Sequence, residues 1–268
     1  MVTISIAPDL LQTTRQARQL EERFGLAGAY VVPALPEAED QEELRHRIAA
    51  AAAHTLDSQL EPDMTLGVAW GRTMLALARS LPERNVPGLE IVQVSGSSLG
   101  GTDASPEACS ALIAARLGAR CHNFHSPAVV SRRDLRDALL AEPGLQRHFA
   151  RFADCDAVLL GVGELEADTI LSDPDSVPRP ALDAYRAVGA VGMLVGRFID
   201  PDGTEVEGPL SGRQIGMSLQ DLLAIPMRIC VAGGQRKTAA IRATLTGGYV
   251  THLVTDPDTA DTLLAEAA

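Results

Sequence analysis

Four glycine-rich loops carry the residues of this sequence that are best suited to binding an anion. The loops are Ala69–Thr73, Val94–Thr102, Gly161–Glu164 and Ala232–Thr238. Two of them place a cation directly before a threonine, since Arg72 precedes Thr73 and Lys237 precedes Thr238. Glycines let backbone amides approach a ligand closely, and amides, hydroxyls and a cation together hold a phosphate. These residue types favour an anion site that several loops build together.

The charges at the predicted helix starts support the same interpretation. A helix N-terminus favours acidic side chains and disfavours cations by about 0.3–1 kcal/mol. Predicted helices that begin near Asp103, Asp221 and Asp256 follow this rule. The starts at Arg72 and at Arg236-Lys237 break it, and the sequence places no acidic residue beside them. A bound anion would make both arrangements favourable, and Lys237 is the only lysine in 268 residues.

Several alternatives for the same residues stay open at this point. Lys237 could clamp a phosphate, form a Schiff base or lie on the surface. Glu164 could act as an acid or base or could cap a helix, and Trp70 could be a pocket wall or a stacking platform. The loops contain no Walker A spacing, and "GVGELE" has Glu166 where a dinucleotide fingerprint has its third glycine. No GxSxG or HExxH motif occurs, so the sequence offers little evidence for catalysis.

Composition narrows the class of partner. The net charge is −12, and no basic stripe interrupts it, so this chain should not hold nucleic acid by itself. The four cysteines are scattered without a CxxC pair, and we expect neither a metal nor a cofactor. The N-terminal residues do not form a signal peptide, and no apolar run approaches a membrane span, so we expect a cytoplasmic protein.

Short β-rich runs alternate with longer helical stretches, a pattern typical of parallel βα units. We predict a first helix that ends at Gly25, one long helix from Arg132 to Ala153, and a final helix from Asp256. The stretch "AVGMLVGRFIDPDGTEVEG" predicts a hairpin that turns at Asp202-Gly203. "SLQDLLAI", beginning at Ser218, predicts a short capped helix.

An ordered set of motifs resembles the effector-binding domain of the SorC family of bacterial transcriptional regulators. These motifs are "LGVAWGRTM", "IVQVSGS", "DAVLLGVG", "GAVGMLVGRFID", "GMSLQDLLAIP" and "ICVAGGQRKTAAIRATLTGGYVTHLVTD". The resemblance runs from about Glu21 to the C-terminus and is strongest from Leu222 to Asp256. It implies a Rossmann-like α/β fold, a mostly parallel sheet flanked by helices, similar to ribose-5-phosphate isomerases and glucosamine-6-phosphate deaminases.

The resemblance also implies a site and a function. A sugar or phosphorylated sugar would bind as the effector and alter operator affinity, and a homodimer or homotetramer is expected because palindromic operators match two-fold proteins. We predict that Arg72, Thr73 and Lys237 hold the anionic group, while Gln93, Ser95 and Ser97 meet hydroxyls. The complete predicted effector site comprises Gly71, Arg72, Thr73, Gln93, Ser95, Gly96, Ser97, Gly163, Met193, Gly233, Gly234 and Lys237.

Two departures from the family pattern matter. Family members usually begin with a helix-turn-helix domain, and nothing before Leu10 can hold one, so residues 1–268 are expected to form the effector domain alone. The family often has an acidic residue where this sequence has Met193, which points to an altered or less polar ligand. The competing reading is a sugar-phosphate isomerase or deaminase, because the same fold serves enzymes.

Overall fold

The computed structural model describes residues 8–33, 40–97, 103–165 and 177–265. Within these ranges the α-helices are α1 (Pro8–Phe24), α2 (Gln41–Gln59), α3 (Arg72–Ser80), α4 (Pro106–Leu117), α5 (Arg133–Leu140), α6 (Pro143–Ala150), α7 (Arg179–Ala187), α8 (Leu219–Ala224), α9 (Thr238–Thr246) and α10 (Pro257–Ala265). The strands are β1 (Gly28–Val31), β2 (Thr65–Val68), β3 (Glu90–Gln93), β4 (Arg120–His122), β5 (Ala157–Leu160), β6 (Gly192–Leu194), β7 (Arg197–Ile199), β8 (Met227–Val231) and β9 (His252–Thr255). Single 3-10 turns cover Arg151–Asp154 and Gln235–Lys237.

Seven of these strands form one parallel sheet in the order β1-β9-β8-β5-β2-β3-β4. The register is continuous through its centre, where Leu66 of β2 pairs with Ile91 of β3 and with Ala157 of β5. Parallel strands are connected by crossover helices, which cover both faces and leave the central strands buried. This architecture confirms the predicted α/β fold with a mostly parallel sheet flanked by helices.

The two faces of the sheet pack against different helices. Alternate residues of β5 show this, since Leu159 lies in the core with α2, α3 and α4, whereas Leu160 lies in the core with α1, α9 and α10. A strand alternates its side chains between faces, so a run such as Ala157–Leu160 is apolar throughout because both faces are covered. The alanine-rich stretch of α2 lets that helix lie close to α3.

The order of the strands changes direction between β2 and β5. The chain proceeds from β2 to β3 and β4 toward one edge, and from β5 to β8 and β9 toward the other. In open parallel sheets, ligands bind beyond the carboxyl ends of the strands at such a switch point. The loops after β2, β3, β5 and β8 all end there, and these are the four glycine-rich loops of the sequence.

Two predictions about local structure are wrong in part. The helix predicted over Arg132–Ala153 is divided into α5 and α6 and a 3-10 turn, because Pro143 cannot continue a helix and instead begins the next one. The predicted hairpin is β6-β7, but its strands turn at Val195-Gly196. Asp202-Gly203 forms a second reversal, after which only a single bridge joins Ile199 to Glu205.

Other local predictions are confirmed. Helix α1 ends at Phe24, and Gly25 follows it with the positive φ of 65° that a helix-terminating glycine adopts. Helix α8 begins with the expected capping box, in which the Ser218 hydroxyl accepts from the Asp221 amide at 3.0 Å and the Asp221 carboxylate accepts from the Ser218 amide at 3.1 Å.

Candidate functional site

A pocket lies at the switch point of the sheet, where the glycine-rich loops meet helix α2 and the β6-β7 hairpin. Nine of the twelve predicted effector-site residues line it: Gly71, Arg72, Thr73, Ser95, Gly163, Met193, Gly233, Gly234 and Lys237. Trp70 lies in its wall as a half-buried side chain that also contacts the core beneath α3. Residues 98–102 of the second loop lie outside the described residues. We call this space the anion pocket, because of the cations described next.

Cations from three separate elements face the anion pocket. Arg72 begins α3, Lys237 precedes α9, and Arg45 lies on α2. Within the described ranges, no acidic side chain forms a salt bridge with any of these three cations. Burial lowers the pKa of the Lys237 ammonium, and the positive charges of Arg45 and Arg72 lower this pKa further. Burial and the Arg72 charge also lower the pKa of Arg45. The concentration of positive charge is therefore unfavourable until an anion joins it.

The structure corrects one element of the sequence argument. The sequence shows no acidic residue next to Arg236 and Lys237, but the loop after β5 brings Glu164 to them. Its carboxylate lies 3.6 Å from the Arg236 guanidinium and raises the pKa of Lys237, against the larger effect of burial. Glu164 is only 8% exposed, and its Oε2 atom has no hydrogen-bond partner among the described residues. This carboxylate oxygen can accept a hydrogen bond from a ligand.

Helices α3 and α9 begin without a side-chain cap. Gly71 and Gly234 lead into them with φ of 116° and 95°, a backbone region that other residues rarely adopt. By contrast, α2 and α4 are capped by Asp40 and Ser105. The first-turn amides of a helix without a cap remain available to an anion, and Arg72 and Thr73 occupy this turn of α3.

The loop that carries Lys237 is held from below by the start of α10. The Asp256 carboxylate accepts from the Gly234 amide at 2.8 Å, and the Thr259 hydroxyl accepts from the same amide at 2.9 Å. A side chain at Gly233 would force the side chains of Asp256 and Ile48 to shift, and glycine avoids this overlap. The Gly234 amide is therefore occupied by the protein, and Lys237 is presented on a fixed loop.

Met193 and Gly163 both line the pocket and are joined through their backbones. The Gly163 amide donates to the Met193 carbonyl at 2.9 Å, and the Met193 amide donates to the Gly163 carbonyl at 2.8 Å. This bridge holds the β6-β7 hairpin against the loop that carries Glu164, and both Met193 and Glu164 line the pocket. The pocket thus has an acidic group from the β5 loop and an apolar group from the β6-β7 hairpin.

Three predicted residues do not line the anion pocket. Gln93 is fully buried below it, where its amide donates to the Ser95 carbonyl at 2.7 Å. Gly96 packs against the backbone of Ala128, at which a side chain would approach within 2.6 Å. Ser97 lies in an adjoining cavity, and its hydroxyl bonds to Glu107. The assignment of Gln93, Gly96 and Ser97 to ligand contact stays a prediction that this geometry does not support.

Arg45 was not identified from the sequence. It lies in the second turn of α2, whose residues at helical spacing, Gln41, Leu44, Arg45 and Ile48, all line the pocket. The loop-based argument considered only segments that follow strands, and α2 reaches the pocket from the side. A helical face that mixes apolar residues with one arginine is common to half-buried helices, so the sequence does not distinguish a ligand-binding arginine from an ordinary surface arginine.

Within the described part of the chain, no group of three or more His, Cys, Asp or Glu side chains could hold a metal ion. No helix in that part is long and apolar enough to cross a membrane.

Comparison with known proteins identifies the family. The sequence profile of a sugar-binding domain family matches residues 9–265. The chain is 32% identical over 268 residues to the uncharacterized transcriptional regulator YjhU of Escherichia coli K12, covering 99% of this chain and 82% of YjhU. It is 30% identical to the transcriptional regulator LsrR of Klebsiella pneumoniae, covering 93% of this chain and 75% of LsrR.

The fold also matches a solved regulator. The full-length sorbitol operon regulator SorC of Klebsiella pneumoniae superposes with a TM-score of 0.89 at 25% identity, covering 98% of this chain and 84% of SorC. The matches in sequence and in fold agree with the family that the motif order indicates. This chain therefore belongs to the family of sugar-binding domains of SorC-type transcriptional regulators.

Proposed function

We propose that the anion pocket binds the phosphate of a phosphorylated sugar, and that this sugar is the effector of a transcriptional regulator. The observation that carries the proposal is the convergence of Arg45, Arg72 and Lys237, with no salt bridge to any of them in the described ranges. The first turn of α3 adds amides and the Thr73 hydroxyl, which together with the cations form a phosphate-binding set.

The rest of the pocket suits a sugar. Ser95 is 5% exposed, and its hydroxyl has no hydrogen-bond partner among the described residues. The Glu164 Oε2 atom also lacks a hydrogen-bond partner there, although it forms an ion pair with Arg236 at 3.6 Å. Buried polar atoms are normally hydrogen-bonded, so these two oxygens are suitable acceptors for ligand hydroxyls. In this arrangement Glu164 would supply the carboxylate that Met193 does not, which supports a ligand with hydroxyls on one side and carbon on the other.

Binding without turnover is part of the proposal. Glu164 is the only carboxylate that lines the anion pocket among the described residues, and no histidine lies in that lining. General acid–base catalysis of isomerisation or deamination needs a group to remove a proton and a group to return one. Incubation with aldose and ketose phosphates should show saturable binding and no product, and product formation would favour the isomerase or deaminase reading instead.

Binding would be coupled to operator DNA through the quaternary structure. The proposed effector joins the β2, β5 and β8 loops to α2, so closing the pocket would shift helices against the sheet. A coupling of about 1–3 kcal/mol is typical of such transmission. A net charge of −12 disfavours contact with DNA through this domain, so we assign that contact to a separate helix-turn-helix segment. We further propose a homodimer or homotetramer, whose two-fold axis would match a palindromic operator.

A thermal-shift screen tests the proposal directly. Matched pairs of free and 6-phosphorylated sugars should raise the midpoint of unfolding only when phosphorylated. A ligand at 100 times its Kd adds about 2.7 kcal/mol to the free energy of unfolding, which such an assay resolves easily. If free sugars stabilise the protein as well as their phosphates do, the phosphate assignment is wrong.

Glu164→Gln should separate the sugar part of the site from its phosphate part. Removal of this negative charge near Arg236 and Lys237 should strengthen binding of inorganic phosphate severalfold, by on the order of 1 kcal/mol. The preference for a sugar phosphate over inorganic phosphate should fall roughly tenfold, because an amide oxygen accepts hydroxyls less strongly than a carboxylate. Calorimetric titration measures both, and Glu207→Gln, on the exposed surface, is the matched control. Equal losses for both ligands would show that Glu164 only supports the fold.

A further inference from the structure

A second cavity adjoins the anion pocket. Trp70, Ser95, Met193, Val195 and Gly196 line both spaces, so the two meet along this shared wall. The second cavity encloses about 50 Å³. Since a water-sized group needs about 10–15 Å³, this space can hold roughly four such groups. It is therefore large enough for a substituent but too small for a second sugar ring.

The wall of this second cavity consists largely of carbon. Residues found in it but not in the anion pocket include Pro127, Val129, Val177, Phe198, Leu210 and Ile215. Apolar cavities of this kind hold water poorly and bind small apolar groups readily. Its chemistry thus differs from that of the adjoining pocket, whose lining includes several cations and one carboxylate.

Two polar side chains that border this apolar space each have one atom without a hydrogen-bond partner among the described residues. Ser95 lies where the two cavities meet, and its hydroxyl makes no hydrogen bond within the described ranges. Arg197 lines the second cavity, is 8% exposed, and its Nε atom also has no hydrogen-bond partner there. The other contacts of its guanidinium are long, at 3.5 Å to Gln214 and 3.7 Å to Glu205. A buried donor in this state points to an acceptor that arrives with a ligand.

We infer that the second cavity is a subsite for a non-polar substituent on the phosphorylated sugar, with an acceptor oxygen near its end that meets Arg197. The inference rests on the proposed phosphate site. It narrows the ligand class to phosphorylated sugars that carry a small alkyl group, as in a phosphorylated alkyl glycoside. Met193, at the junction, then contacts the carbon that links the polar part of the ligand to the apolar part.

A series of alkyl phosphates tests this subsite without knowledge of the natural ligand. Inorganic phosphate, methyl, ethyl, propyl, butyl and hexyl phosphate are titrated calorimetrically into the intact protein. Affinity should rise about fourfold for each methylene that enters the second cavity, and should stop rising once the cavity is full. If inorganic phosphate binds but the affinity of the alkyl phosphates does not depend on chain length, the subsite is overturned and the phosphate site stands. If neither phosphate nor any alkyl phosphate binds, both proposals fail.

Filling the cavity provides the second test. Val129 is half-buried in its wall and outside the anion pocket, so Val129→Phe should remove the dependence on chain length and leave the affinity for inorganic phosphate unchanged. Val188→Phe, at a side chain that is 59% exposed, is the matched control. An equal chain-length effect in wild type and Val129→Phe would place the alkyl group elsewhere and overturn the inference. Should Val129→Phe not fold, the wild-type series still decides.

Discussion

Lys237→Ala should weaken the binding of phosphorylated sugars roughly 10- to 100-fold, because hydrogen bonds to charged groups contribute about 1.5–3 kcal/mol. The same substitution should leave the midpoint of thermal unfolding of the ligand-free protein unchanged or should raise it. Burial and the charges of Arg45 and Arg72 lower the pKa of Lys237, so the protonated side chain opposes folding until an anion is bound. Titration calorimetry and thermal unfolding measure the two effects on one sample.

The controls for this prediction come from the same region of the chain. Arg79→Ala removes an exposed cation from the last turn of α3, outside the pocket, and should change the affinity by less than twofold. Arg72→Ala should give a smaller loss than Lys237→Ala, since Arg72 is exposed and its charge is better screened. A fall in stability with unchanged affinity in Lys237→Ala would instead assign Lys237 a structural role.

The pH dependence of binding follows from the direction of the same shift. The pKa of Lys237 is lowered in the ligand-free protein, and a bound phosphate favours the charged form and raises it again. The affinity for phosphate is therefore present below the pKa of Lys237 in the ligand-free protein and is lost as pH rises through that pKa. This loss occurs at a lower pH than an ordinary lysine would give. In Lys237→Arg, any remaining affinity should persist over this range, because a guanidinium does not titrate there.

The sequence predicts the location of the site because, in parallel βα units, the loops that follow the strands all lie at the carboxyl edge of the sheet. Once "MTLGVAW", "LEIVQVS", "DAVLLGV" and "MRICVA" are recognised as strands of one sheet, their carboxyl ends must lie at one edge. Gly71 and Gly234 then identify the two turns that require a positive φ. Eight of the nine predicted residues share the pocket for this reason, whereas Met193 reaches it from the β6-β7 hairpin, and the roles of all nine in binding remain predictions.

What the sequence does not predict depends on packing between distant segments. Glu164 is 72 residues from Arg236, and only the neighbouring positions of β5 and β8 bring the two together. Arg45 reaches the pocket because α2 packs beside α3. Gln93 ends a strand, as a ligand residue would, but its side chain turns into the core to bond the Ser95 and Phe124 carbonyls. Side-chain direction at a strand end is set by such partners and has no sequence signature.

Asp256→Ala should lower both the stability of the fold and the affinity of the pocket. The carboxylate is 3% exposed and accepts three hydrogen bonds: from the Gly234 amide at 2.8 Å, from the Thr259 amide at 2.9 Å and from the Thr259 hydroxyl at 2.6 Å. Loss of these bonds should cost about 2–4 kcal/mol of the free energy of unfolding, or roughly 5–10 °C in the midpoint. Thermal and denaturant unfolding of the ligand-free protein check this loss.

The loss of affinity has a separate physical cause. Asp256 does not itself line the anion pocket and bonds the amide of Gly234, which does, so it acts by fixing the loop that presents Lys237. With the Gly234 amide released, the ligand must order that loop on binding, and we expect roughly a tenfold weaker Kd for sugar phosphates. Asp258→Ala removes an exposed acid from the same helical turn and should cost at most about 1 kcal/mol of stability and no affinity. If Asp256 anchors the Lys237 loop, its loss must change the Kd. A destabilised Asp256→Ala protein with an unchanged Kd would therefore contradict the anchoring role and leave Asp256 as a helix cap only.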